Sequence, residues 1–191
     1  MKRAIAKIIM CVILLSLLIS GCKKKTEQSK DVIDIRIESA EDVLVKVWAC
    51  YGENDKFNIV GGDMDNMAMG CPCDFSLTAV SEMENMLGVP ESTVSMLENA
   101  ATMADEMDSY IYTVAAYCVK DSSNVTKFRE TVEENLLNKE WGETIPDKLV
   151  VATLDSDYVI VAYGTEDKMD TFVDRLEYAT DAKVIVNKNW K

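Results

Sequence analysis

Leu149-Val150-Val151-Ala152-Thr153-Leu154-Asp155-Ser156-Asp157-Tyr158-Val159-Ile160-Val161-Ala162-Tyr163 is the stretch whose reading decides the fold. Two apolar, β-branched runs flank three polar turn formers. The pattern is a β-hairpin: strand Leu149 to Leu154, tight turn Asp155 to Asp157, and partner strand Tyr158 to Tyr163. Upstream, Tyr110 to Val119 has the same β-branched and aromatic content and reads as another strand. Between them Asp121-Ser122-Ser123 caps a helix on which Val125, Phe128, Val132 and Leu136 share one face. Downstream, Gly164-Thr165 precedes a helix carrying Met169, Phe172, Val173 and Leu176 at helical spacing, and Lys183 to Val186 is a last strand.

The order from 109 to 191 is therefore β-α-β-β-α-β. That is a ferredoxin-like succession, an α+β unit whose antiparallel sheet carries both helices on one face. The second face then needs a cover, because Tyr110, Tyr112, Val114, Ala116 and Cys118 alternate with an equally apolar set, Ile111, Thr113, Ala115, Tyr117 and Val119. Residues 32–108 supply it as α-rich N-terminal segments, a second copy or a partner being the other possible cover. Within them, Ile33, Ile35 and Ile37 alternate with polar residues as a short strand, and Ser39-Ala40-Glu41-Asp42 opens a helix with a capping-box pattern. Val43, Leu44, Val47, Trp48 and Tyr51 lie on its apolar face, and Gly52 ends it. Glu53 to Phe75 is irregular. Leu77, Val80, Met83 and Leu87 mark a second helix closed by Gly88 and Pro90, and Val94, Leu97, Ala101, Ala104 and Met107 a third.

At the other end of the chain, Lys2, Arg3 and Lys7 precede twelve positions, Ile8 to Ile19, that are apolar apart from Ser16. A bilayer-spanning helix takes about 20 such residues, so the run is short for a span and suits a signal peptide. It closes on Leu18-Ile19-Ser20-Gly21-Cys22 and opens onto Lys23-Lys24-Lys25. This junction resembles the lipobox of bacterial lipoproteins. The resemblance implies cleavage after residue 21, acylation of Cys22 with diacylglyceryl and palmitate chains, and a protein held at the extracytoplasmic face of the cell membrane, exposed at the cell surface. Residues 22–31 then form a lipidated tether, reaching roughly 15–18 Å as a flexible coil. One acyl chain holds a protein only marginally, and the three lysines offer a second attraction, to anionic head groups.

The C-terminal half, from about Tyr110, is also similar to an uncharacterised family of small Gram-positive lipoproteins. The similarity lies in Pro146-Asp147-Lys148-Leu149-Val150, Tyr163-Gly164, Asp170-Thr171-Phe172 and Asp181-Ala182-Lys183-Val184. It implies a fold and an address, and no activity or functional residue.

Charge narrows the partners. The whole chain carries a net −13, and from Asp31 onward 13 Lys and Arg face 32 Asp and Glu, a net −19. Such a body repels phosphate backbones, which excludes nucleic acid and favours cations or cationic partners. The chain has no histidine, which removes Ser-His-Asp and Cys-His catalysis and every His-based zinc site. Glycine-rich phosphate loops and the nucleophile elbow are absent as well, no cofactor is called for, and no catalytic residue is assigned.

Of the six cysteines, Cys11 lies in the signal run and Cys22 takes lipid. Cys50 and Cys118 sit on apolar patterns as free core thiols, although two disulfides among the remaining four are permitted. Cys71-Pro72-Cys73 is a possible disulfide, redox pair or pair of soft-metal ligands. Asp63-Met64-Asp65-Asn66 starts like a calcium loop but places Met67 at the fifth position, Ala68 at the sixth and Asp74 at the twelfth. Met64, Met67, Met69, Met83, Met86, Met96, Met103 and Met107 are dense between tether and sheet. They read first as gap-filling core residues, with an adaptable apolar groove or a copper site as the other readings. The sequence thus leads to a non-enzymatic lipoprotein binding a protein or small molecule. The rival is an extracytoplasmic thiol-redox or metal-handling protein using Cys71 and Cys73.

Overall fold

In the computed structural model, which describes residues 35–190, the chain runs α1 (Ala40–Ala49), β1 (Ile59–Gly61), β2 (Ala68–Met69), β3 (Cys73–Asp74), α2 (Val80–Leu87), α3 (Glu91–Val94), β4 (Leu97–Asp105), β5 (Tyr112–Val119), a 3₁₀ turn leading into α4 (Val125–Asn138), β6 (Lys148–Leu154), β7 (Tyr158–Gly164), α5 (Glu166–Ala179) and β8 (Lys183–Asn189). The architecture is α+β. One eight-stranded antiparallel sheet has the order β2-β1-β4-β5-β7-β6-β8, with β3 pairing β4 beside β1. The signal run, Cys22 and the tether lie outside the described residues.

The hairpin forms as its residues require. Leu154 pairs with Tyr158 at the closed end and Lys148 with Gly164 at the open end, and Asp155 takes the turn at φ 51°. Asp residues tolerate that left-handed conformation better than most side chains. Both strands are buried nearly throughout, as is β5, so all three are covered on two faces. Alternate residues divide them. Tyr112, Val114, Ala116, Val150, Ile160 and Ala162 pack with α1 and α5, through Val43, Leu44, Met169 and Phe172. Ala115, Tyr117, Val119, Val151, Val159 and Val161 pack with α2 and α4, through Met83, Leu87, Phe128 and Val132.

This is not the ferredoxin-like order. There the last strand would return beside β5, whereas β8 pairs with β6 and the place beside β5 belongs to β4. The change of edge has a mechanical consequence. The crossovers β5-α4-β6 and β7-α5-β8 run the same way across the sheet from strands of opposite direction. Both can be right-handed only if their helices take opposite faces. Hence α4 and α5 lie on different sides, and each face is covered by one N-terminal and one C-terminal helix.

Three further expectations are corrected. The third helix expected over Val94 to Met107 is the strand β4, preceded by the four-residue α3. Its positions 94, 97, 101, 104 and 107 fit a helical period, but Ala100 to Ala104 form an unbroken buried run. A strand buried on both faces shows no alternation, and pairing on both edges overrides the helix propensity of alanine. The irregular 53–75 region contributes β1, β2 and β3, so the segments expected to be α-rich extend the sheet as well as cover it. Where the short strand 32–38 was expected, Ile35 to Glu38 take no regular structure, and the rest lies outside the described residues. The capping box stands: the Ser39 hydroxyl accepts from Asp42 N–H, and Asp42 Oδ2 accepts from Ser39 N–H at 3.0 Å.

Two measurements check the core. Phe128→Ala and Phe172→Ala should each cost about 3–5 kcal/mol, and because the rings lie on opposite faces the double variant should be additive within about 0.5 kcal/mol. Strong coupling in urea melts would mean that the helices share a face. Burial also pushes the Tyr51 and Tyr163 hydroxyls up to about 12 and raises those of Tyr112 and Tyr117 well above the usual tyrosine value. The fold therefore favours the neutral phenol. Its contribution is complete below the unfolded value of about 10 and is lost as pH rises toward the folded values. Phenolate absorbance from Tyr51 and Tyr163 should appear only toward pH 12 and with loss of stability. Ionisation of all seven tyrosines near pH 10 with the fold intact would contradict this burial.

Candidate functional site

The edge of the sheet beyond β4 is where side chains are held in place without being buried. Gly61 and Gly62 begin it. A Cβ on Gly61 would lie 2.3 Å from the Cys73 backbone nitrogen, so the Cys71–Cys73 chain crosses there at a distance that only glycine permits. Gly62 turns at φ +88°, and a Cβ on it would sit 2.0 Å from the Asn66 carbonyl. Thr102 of β4 clasps this turn: its Oγ1 accepts from Gly62 N–H and donates to the Gly62 carbonyl, each at 3.0 Å.

Asp63 organises the loop that follows. It is 3% exposed, and its two carboxylate oxygens accept from Asp65 N–H at 3.0 Å and Ser76 N–H at 2.8 Å. Glu82 of α2 reaches across to accept from Met64 N–H at 3.1 Å. Backbone donors are thus satisfied by fixed acceptors, and the loop is held from three sides. Its methionines are not. Met64, Met67 and Met69 are 74%, 62% and 61% exposed, whereas Met83 and Met103 are fully buried. Gap-filling therefore describes Met83 and Met103 and not these three. The signal that could have separated them is local: Met64 and Met67 are flanked by Asp63, Asp65, Asn66 and Gly62 rather than by an apolar period.

Beneath Met64 and Met67 lies an apolar depression of about 90 Å³, completed by Val60, Met86, Leu87 and Ala104. Asp63 and Glu82 also border it, and both are shared with a larger adjoining hollow of about 490 Å³ that is lined by Asp65, Asp74 and Glu98 among others. Neither is lined by a Lys or Arg. The site is an apolar, sulfur-rich floor beside a strongly negative wall, suited to a ligand that is cationic and apolar or soft. A third hollow, of about 300 Å³, is lined by Tyr51, Asp55, Phe57 and Lys168 among others. There Arg175 pairs with Asp55 at 2.7 Å, and Lys168 lies over the Phe57 ring and 3.8 Å from Asp105. Its cations are already engaged.

The other sequence candidates are placed as follows. Cys50, Cys71, Cys73 and Cys118 are all free, with Cys71 exposed and Cys118 buried in β5. Cys73 Sγ accepts from Asn66 Nδ2 at 3.7 Å, and burial, then Glu41 and Asp74, push its thiol up. A thiolate nucleophile needs electropositive surroundings, and Cys73 has the reverse. Burial likewise raises the Cys50 and Cys118 thiols. Among the described residues no group of three or more His, Cys, Asp or Glu side chains could hold a metal ion, so the four thiols are not gathered as a zinc site. In the calcium-like segment Asp63 gives both oxygens to backbone donors, and among the described residues no group of three or more carboxylates gathers around it. Also among the described residues, no helix is long and apolar enough to cross a membrane.

Comparison of the chain with protein-family models, with curated proteins and with solved structures gives no match. The site is therefore argued from its own geometry.

Stability measurements separate the two kinds of residue at this edge. Met64→Ser and Met67→Ser should change unfolding free energy by no more than about 0.5 kcal/mol, as exposed positions do. Met103→Ala should cost about 2–5 kcal/mol. Asp63→Ala, which strands two backbone N–H groups, should cost about 1–3 kcal/mol. A Met64 or Met67 variant as damaging as Met103→Ala would place those side chains in the core.

Proposed function

We propose that this protein is a non-enzymatic binding module, carried on the extracytoplasmic face of the cell membrane by lipid on Cys22, with the methionine-lined depression as its binding surface. The observation that carries the reading is the contrast at the β1–β2 edge. An acidic body that buries its core on two sheet faces leaves Met64 and Met67 of one braced loop, and Met69 of the adjoining β2, grouped in solvent beside an apolar depression. Exposed apolar groups on a preorganised backbone are what a binding surface requires, and they contribute nothing to the fold. The address is supported by the order of basic residues, apolar run, small pair and cysteine at the start of the chain. The opposed charges of Lys23-Lys24-Lys25 and the acidic body hold the root to anionic lipid while the body stands off.

Two arms test the reading in the full-length protein. Labelled palmitate should enter the wild type and not Cys22→Ala, and the variant should leave the membrane fraction. A Cys22→Ala protein that stays with membranes, or a wild type without label, refutes the address. A photoreactive amino acid replacing Met67 should give adducts with its ligand in cells, while the same group replacing Glu130 on the far side of α4 should not. Equal yields from both positions refute the surface.

A further inference from the structure

We infer that the depression is a binding site for a soft monovalent cation of the Cu(I) class, held by the thioether sulfurs of Met64, Met67 and Met86, which line it, with Met69 beside them. The inference rests on reading the depression as a binding surface and is independent of the lipid on Cys22.

Strand register puts Met69 on the face where the depression opens. Met69 of β2 pairs with Val60 of β1, Val60 with Ala104 of β4, and Ala104 with Thr113 of β5. Residues directly opposite one another in antiparallel strands project from the same face. Val60, Ala104 and Thr113 all line the depression, so Met69 is the outer end of that row. Met64 and Met67 border the same depression from the β1–β2 connection, and Met86 from α2. Three thioethers from two separate segments therefore line one small volume, with Met69 at its outer side. If the surface were there only to be apolar, leucine or isoleucine would serve. What methionine adds is a soft, polarizable donor.

The choice of ion follows from the donors. Neutral thioethers bind hard cations poorly and select Cu(I) and its congeners. The bordering carboxylates, Asp63 held by Asp65 and Ser76 N–H and Glu82 Oε2 by Met64 N–H, brace the loop and are hard donors that a soft cation does not select. Their charge remains, and with Asp65 it gives a monovalent cation a favourable field without competing for its inner sphere. The loop backbone is braced before any ion arrives, so only the flexible methionine side chains must be ordered on binding. Binding is simple coordination, with no electron transferred and no proton released. That separates it from a thiolate site at Cys71 and Cys73, where protons must leave and affinity rises with pH.

Ag(I), which matches Cu(I) in softness and does not oxidise in air, is the probe. The full-length protein, labelled with ¹³C at the methionine methyls and with its accessible thiols capped by N-ethylmaleimide, is titrated with Ag(I) and followed by NMR. The methyl signals of Met64, Met67 and Met86 should shift together and saturate at one equivalent, equally at about pH 5.5 and pH 7.5. Those of buried Met103 and of Met107, which is 87% exposed and outside the lining, should stay in place. The triple variant Met64→Leu, Met67→Leu, Met86→Leu keeps the apolar surface and should bind at least about tenfold more weakly. Signals that do not move at one equivalent, Met107 moving in parallel with the three, or a leucine variant that binds Ag(I) as tightly would each overturn the assignment. Adducts from position 67 in the absence of Ag(I) shifts would also overturn it, while leaving the binding surface itself intact.

Discussion

The antiparallel pairing of β5 with β7 is the constraint from which the rest of the structure follows. It runs from Tyr112 opposite Gly164 to Cys118 opposite Tyr158, and neither strand presents a face that water could cover. A sheet of this kind is stable only between two layers. The described residues include four substantial helices to make them. Because β8 attaches at the far side of β6, the right-handed crossovers send α4 and α5 to opposite faces, each leaving half of its own face open. The N-terminal helices fill those halves, α1 beside α5 and α2 beside α4. Residues before 109 are therefore part of the core that the later strands require. Asn99 of β4 reinforces this by accepting from Ala40 N–H at 2.8 Å, tying the start of α1 to the sheet.

The functional edge is a consequence of how that core ends. Beyond β4 the sheet is continued by three very short strands, two of which share a single edge: β1 meets β4 at Ala104 and Asp105, and β3 at Ala101 and Thr102. Thr102 bridges the gap between them through both polar groups of Gly62. An interrupted edge of this sort cannot readily recruit a foreign strand, since its backbone groups are directed into turns and side chains. It can instead offer side chains from several segments at once, and here those side chains are methionines and carboxylates. The rigidity lies in the backbone and the adaptability in the thioethers.

Charge acts on a longer range than either. A body at net −19 concentrates cations around itself, and most so in the hollow where Asp63, Asp65, Asp74, Glu82 and Glu98 meet with no Lys or Arg in the lining. Elsewhere several cations are paired: Arg129 with Glu130 and Glu133, Lys148 with Asp170, and Arg175 with Asp55. At Cys73 burial first, and then the charges of Glu41 and Asp74, discourage thiolate formation. Sulfur chemistry that needs no deprotonation is therefore better suited to this edge than chemistry that does.

The second half of the chain was legible because its signals are local. The hairpin at Asp155 to Asp157, the helical face of Phe128, Val132 and Leu136 and that of Met169, Phe172 and Leu176, and the capping box at Ser39 each depend on residues within a few positions of one another. Where β8 attaches was not legible, since both edges of a four-stranded unit accept the same apolar strand and only the presence of β4 beside β5 excludes one of them. The helical reading of Val94 to Met107 failed for a related reason: an alanine-rich strand buried on two faces has no alternation to display. At the site, the density of methionine was visible in the sequence, but exposure is a property of the finished surface. The sequence by itself determined the elements of the later half, the acidity of the body and the absence of histidine chemistry, because composition and short-range period carry them. Only the tertiary structure decided which face each helix covers and which methionines remain in water, because both depend on strand pairings between residues far apart in the chain.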